Sequence, residues 1–153
     1  DAIHDGMQFA LLFIDLRDLH GINERHSPAV ADNVLRHLAG KLRAALRSDD
    51  HILLARIGGD EFGLLIRTDD LDLEGLQSLA SRIYSVVCGE DYRRRDNGEP
   101  ISIQISIGGC LRTLPLKDTA DFFQVASENN EKAKRIYKTG QDVDGELPIV
   151  ITH

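Results

Sequence analysis

The sequence predicts an α+β domain, a mixed α/β sandwich in which helices pack on a sheet containing antiparallel strands. Three observations carry this. Phe9-Ala10-Leu11-Leu12-Phe13-Ile14 is a continuous apolar run of strand length, the pattern of a strand buried on both faces. Ile52 to Ile57 and Phe62 to Ile66 flank Gly58-Gly59-Asp60, the pattern of a β-hairpin with glycines at its turn. Ile101, Ile103, Ile105 and Ile107 alternate with Ser102, Gln104 and Ser106, a period of two.

The elements follow in order. The first strand ends at Asp15. From about Ala29 to Leu46, apolar residues recur at Val30, Val34, Leu35, Leu38, Leu42, Ala45 and Leu46, a helical stripe whose first turn suits Pro28. The hairpin comes next. Leu73 to Cys88 is helical again, with Leu76, Leu79, Ala80, Ile83 and Val87 on one face. Asp91 to Pro100 is charged, contains Asn97-Gly98, and is expected to be an exposed loop or hairpin tip. The alternating strand is followed by a third helix, Thr119 to about Lys138, and a short strand, Leu147 to Ile151. The predicted order is β-α-β-β-α-β-α-β, without repeats, low-complexity segments or an internal linker.

The chain has 153 residues, the size of one domain with one core. It begins at Asp1 without a methionine, so 1–153 is expected to be a single domain of a longer protein. No apolar run approaches the ~20 residues that span a bilayer, so no direct membrane contact is expected. Cys88 and Cys110 lie in apolar runs without metal-like spacing and are expected to be buried thiols in a reducing, cytoplasmic setting. The six histidines form no cluster. A net charge of −7 argues against non-specific nucleic-acid binding. An acidic chain that binds a triphosphate needs divalent metal and a few placed lysines.

The chemistry concentrates at the hairpin. A turn needs one acid, yet two carboxylates, Asp60 and Glu61, stand side by side next to glycines that let a ligand approach the backbone. That pattern points to a metal-assisted phosphate site. Asp15, at the end of the first strand, reaches the same place if that strand lies beside the hairpin. Alternatively, Asp15 is an acid at a helix start, and Asn23, Asp32, Lys134 and Lys138 are ordinary solvent-facing helix positions.

Gly58-Gly59-Asp60-Glu61-Phe62 resembles the signature loop of the GGDEF family of diguanylate cyclases, which condense two GTP into cyclic di-GMP. The resemblance covers about residues 8 to 140. It implies a central, mostly antiparallel sheet flanked by helices, similar to the palm-like fold of nucleotidyl cyclases and polymerases. It also implies Mg²⁺ or Mn²⁺ held at Asp15, Leu16, Asp60 and Glu61, with Asp60 and Glu61 catalytic. Substrate-binding positions carried over from the family are Leu19, His20, Gly58, Gly59, Lys134 and Lys138 around the phosphates, and Asn23 and Asp32 at the guanine. Two domains, each holding one GTP, must face each other. Arg47 and Asp50 fit an inhibitory R-x-x-D pair for cyclic di-GMP, set two residues further from the signature than usual.

The chain also departs from the family pattern. Arg17 stands for a second Asp, and Leu19-His20 for Phe-Lys. Ser27-Pro28 replaces Gly-His, and Ala31 replaces a Gly. Asn129-Asn130-Glu131 replaces a tyrosine-containing helix motif, Lys138 stands for an Arg, and the N-terminal D-x-L-T pattern is absent. These changes weaken phosphate grip more than metal binding. They keep open an alternative: a degenerate regulatory domain that binds GTP or cyclic di-GMP without turnover. A third reading is a different metal-dependent nucleotidyl cyclase or polymerase-like enzyme.

Overall fold

β1 (Gln8–Leu16) runs through the middle of the sheet. In the computed structural model of the chain, residues 8–46, 51–68, 71–113, 118–138 and 146–153 are described. Every residue from Ala10 to Leu16 is buried, which is why this segment reads as one apolar run rather than an alternation. β1 pairs antiparallel with β3 (Glu61–Thr68) on one side and with β6 (Ile105–Thr113) on the other. β2 (His51–Arg56) pairs with β3 as the predicted hairpin, and β7 (Ile149–Thr152) adds parallel to β6. The strand order is β2-β3-β1-β6-β7.

α1 (Leu19–Arg25) follows β1, and α2 (Pro28–Ala45) follows α1. Ser27 caps α2 by accepting from the Val30 N–H (3.1 Å), with Pro28 at the first turn as expected. α3 (Leu73–Cys88) is capped by Asp72, which accepts from the Gly75 N–H (2.7 Å). α2 and α3 lay their apolar stripes on one face of the sheet, against Ala10, Leu12, Ile14 and Leu16. α4 (Thr119–Lys138) covers the other face, where Phe122 and Ala126 meet Leu11, Phe13 and Cys110. α4 also makes the crossover that a parallel β6–β7 pair requires.

Two expectations need correction. The alternating stretch 101–107 is not one strand: β6 begins at Ile105, while Pro100–Ile101 forms β5, a two-residue ribbon with β4 (Tyr92–Arg93). The period of two survives because Ile101, Ile103, Ile105 and Ile107 are all buried whether or not they are in the ladder. The stretch 91–100 is therefore the tip of that ribbon. α1 is a helix that the apolar pattern did not mark, because Ile22 is the one residue of its seven that is buried. No helix among the described residues is long and apolar enough to cross a membrane.

Candidate active site

The register of β1 decides the site. Asp15 lies directly opposite Glu61 on β3 and Ser106 on β6. Residues opposite each other in a ladder share a face, so these three form a row on the α4 side. Asp15 is only 4% exposed, and a buried carboxylate needs compensation. Two groups of α4 supply it: Asn130 donates through Nδ2 to Asp15 Oδ2 (2.5 Å), and Lys134 Nζ sits 2.8 Å from the same oxygen. Neither uses Oδ1. Lys134 also bonds Glu131 Oε1 at 2.8 Å. Burial works to lower the proton affinity of the Lys134 amine, but its hydrogen bonds to Asp15 and Glu131 outweigh that and raise it.

α4 can lie this close because β6 carries Gly108 beneath it. A Cβ there would stand 1.9 Å from the Asn130 backbone nitrogen. The absence of a side chain at Gly108 is what seats Asn130 over Asp15.

Glu61 is half-buried. Burial is the first cause raising its proton affinity, and the Asp15 charge is the second; Lys134 partly offsets both. Asp60 is exposed at the hairpin tip. The tip is tied down on both sides: the Leu16 N–H donates to the Asp60 carbonyl (2.8 Å), and Arg56 donates to the carbonyls of Gly58 (3.2 Å) and Gly59 (2.8 Å). The Leu16 side chain is in the core, so only its main chain can serve the site.

Beside the tip opens a cavity of about 520 Å³, within the range of small-molecule sites. Its walls include Leu19, His20, Asn23, Asp32, Arg56, Gly59 and Asp60. Asn23 on α1 and Asp32 on α2, nine positions apart in sequence, thus converge. His20 is exposed, with Nε2 3.0 Å from Glu24 Oε1. Lys134 lies with Asp15 rather than in the cavity wall. Lys138 is the last residue of α4, and its side chain is not described; Arg47 and Asp50 lie outside the described residues.

Two site residues, Arg56 and Asn130, and one supporting residue of α4, Asn129, were not expected from the sequence. Arg56 holds the hairpin tip and lines the cavity. Asn129, buried, donates to the Gly109 carbonyl (2.8 Å) and to Thr152 Oγ1 (2.9 Å), and so ties α4 to β6 and β7. Asn130 holds Asp15. The signal for the asparagines was present: Phe122, Ala126, Asn129, Asn130 and Ala133 form the buried stripe of α4, so two amides stand where the helical period asks for apolar residues.

Among the described residues no three carboxylate, imidazole or thiol groups form a ready-made metal cage. The donors present are oxygens: the Asp15 carboxylate beside Glu61, Asp60 at the tip, and main-chain carbonyls. That set suits a hard divalent cation bound through one or two carboxylates, with substrate phosphates and water completing the shell. The ammonium of Lys134 against Asp15 shows that the position favours positive charge.

The family described as "Diguanylate cyclase, GGDEF domain" matches residues 1–139. The chain is 45% identical over 131 residues to the probable diguanylate cyclase DgcE of Escherichia coli, covering 82% of this chain and 11% of that protein. It is 34% identical over 111 residues to the diguanylate cyclase TpbB of Pseudomonas aeruginosa, covering 72% of this chain and 24% of that protein. The chain therefore spans between a tenth and a quarter of the length of these relatives. Among solved structures, the GGDEF domain of TpbB from Pseudomonas aeruginosa aligns over 100% of this chain and 81% of that one, with TM-score 0.76 and 28% identity. The GGDEF domain of DgcB from Caulobacter crescentus, in complex with c-di-GMP, shares the fold at TM-score 0.77 and 20% identity, over 95% of this chain and 78% of that one.

Proposed function

The chain belongs to the GGDEF domain family of diguanylate cyclases, and from that premise we propose that it condenses two GTP into cyclic di-GMP and two pyrophosphates. The observation that carries this reading is the meeting of Asp15 and Glu61 across the β1–β3 ladder, with Asp60 at the tip beside a cavity that contains Asn23 and Asp32.

Asp15, Asp60, Glu61 and the Leu16 carbonyl would hold Mg²⁺ or Mn²⁺. Such cations, when bound, supply charge for the α-phosphate and the leaving pyrophosphate and acidify the attacking 3′-hydroxyl. Glu61 takes the hydroxyl proton. Asp32 accepts from guanine N1–H and the exocyclic amine, and Asn23 pairs with the remaining edge; a site built on such bonds rejects a base that lacks them. Leu19, His20, Gly58 and Gly59 border the phosphates. Lys134, with Lys138 one turn on, supplies positive charge for them. Each domain holds one GTP, so two copies face each other during catalysis. A domain that binds nucleotide without turnover is the weaker reading, because Asp15, Asp60 and Glu61 are all present.

The test is direct. The purified domain, fused to a dimerising helix, is incubated with GTP and Mn²⁺, and the product is separated by chromatography. Cyclic di-GMP is expected. Asp60→Ala is expected to lower its formation by at least about 10²-fold, since losing a metal ligand costs several kcal/mol of charge stabilisation. An Asp60→Ala protein with undiminished product formation and GTP–Mn²⁺ affinity would refute the site.

A further inference from the structure

We propose that Asn130 is a positioning residue for the metal-binding carboxylate of Asp15: it fixes Oδ2, so that Oδ1 is presented to the cation. The inference rests on the reading of Asp15 as a metal ligand, and it concerns a residue that this chain has in place of the family's helix motif.

Asn130 is 3% exposed, Asp15 is 4% exposed, and Asn130 reaches Asp15 across 115 positions of sequence. A side-chain amide taken out of water costs free energy unless its groups are paired. Here the amide nitrogen is spent on Asp15 Oδ2, and the amide oxygen stands 3.5 Å from Ser106 Oγ, the residue opposite Asp15 on β6. The two β6 neighbours both bear on the amide: Ser106 Oγ stands at the outer limit of hydrogen-bond reach of its oxygen, and Gly108 lets its backbone approach. Lys134 also acts on Oδ2, but it is a flexible ammonium that is partly exposed and shared with Glu131. A planar amide on a packed helix sets direction, whereas an ammonium supplies charge. Hydrogen bonds of this kind, which orient a ligating group from behind, change metal affinity by about 10–100-fold when removed.

Asn129 provides an internal control. It is buried on the same turn and loses comparable hydrogen bonds on truncation, yet its partners are Gly109 and Thr152 rather than Asp15.

The experiment measures Mn²⁺ binding to the intact chain by electron paramagnetic resonance, without nucleotide, together with the thermal midpoint of each protein. Asn130→Leu fills the site with an apolar residue of similar size. It is expected to weaken Mn²⁺ binding by about 10-fold, while Asn129→Leu leaves it within twofold. Should Asn130→Leu fail to fold, Asn130→Ala, which introduces no new bulk, carries the same expectation. Asp15→Asn is expected to abolish binding. If Asp15→Asn does so and the Asn130 variants bind Mn²⁺ like the unmodified protein, Asn130 is merely structural and the proposal is wrong. If the Asn129 and Asn130 variants weaken binding equally, the effect is general loosening of α4, which also overturns it. If Asp15→Asn binds Mn²⁺ unchanged, or the unmodified chain binds none, the metal reading of Asp15 falls and takes this inference with it.

Discussion

The two faces of β1 are built from the same nine residues and do opposite work. Ala10, Leu12, Ile14 and Leu16 point toward α2 and α3 and pack into the main apolar cluster. Phe9, Leu11, Phe13 and Asp15 point toward α4, where the packing is apolar at one end and ionic at the other. Hydrophobic burial, at about 25 cal/mol per Å², dominates the first face. On the second, burial of one carboxylate is tolerated because an amide, an ammonium and a missing side chain at Gly108 are arranged around it. The main apolar cluster lies on one face, and the proposed chemistry lies on the other beside a smaller apolar cluster. A single sheet can carry both because successive side chains point to opposite sides.

The largest test of this division is Leu12→Ala. Leu12 is fully buried on the stability face, and its truncation is expected to cost about 3 kcal/mol in urea unfolding. Mn²⁺ affinity of the folded fraction is expected to stay unchanged. A loss of affinity in parallel with stability would mean that the faces are not separable.

Next comes the pair of glycines on β6. Gly108→Ala places a Cβ against the α4 backbone, so it should cost about 2 kcal/mol, as overpacking does, and weaken Mn²⁺ binding as well. Gly109→Ala points to the other face, where the nearest atom is the tip of the Leu12 side chain, at 2.4 Å, and the nearest backbone atom, the Leu11 carbonyl oxygen, stands at 3.0 Å, farther than the backbone nitrogen 1.9 Å from a Cβ at Gly108. A side-chain tip can move, so a smaller cost and unaltered Mn²⁺ binding are expected. Equal effects of the two alanines on metal binding would erase the distinction.

The smallest effect belongs to Glu61. Its proton affinity is raised in the folded chain, by burial first and the Asp15 charge second. A carboxyl of this kind binds its proton more readily folded than unfolded. Its contribution therefore favours folding as pH falls through its folded-state range, and opposes folding above that range. Glu61→Gln should accordingly stabilise the metal-free protein at pH 7 by about 0.5 kcal/mol, the size of a screened charge interaction. With Mn²⁺ present the order should reverse, because a bound cation stabilises more strongly the protein that keeps all its ligands. Thermal melts of both proteins with and without Mn²⁺ decide this; a Glu61→Gln protein that gains as much from Mn²⁺ as the unmodified chain removes Glu61 from the metal site.

The stability face was largely legible in the sequence. The stripes of α2 and α3 are periodic signals and β1 is a continuous apolar run, and α3 and α4 begin and end at the expected residues. The chemistry face was legible only in part. Asp60 and Glu61 announced themselves as adjacent acids in a turn, and Asp15 as an acid closing an apolar strand. Asn130 and Arg56 did not, because what makes them part of the site is who lies across from them. A buried amide on a helix means nothing until the strand beneath it is known. The short helix α1 escaped for a related reason: its single buried residue, Ile22, cannot show a period.

The parallel pairing of β6 and β7 bears on how the molecule is made. Antiparallel neighbours need only short turns, but this pair is closed by the whole length of α4. The three acids of the site are all in the first half of the chain and emerge early during synthesis, while Asn130 and Lys134 emerge late. Contacts between segments so far apart in sequence form slowly, because a long loop must close before they are gained. Until α4 docks, Asp15 has neither of its α4 partners, and a ribosome-bound chain that has just completed β6 contains all three carboxylates but neither α4 group that holds Asp15.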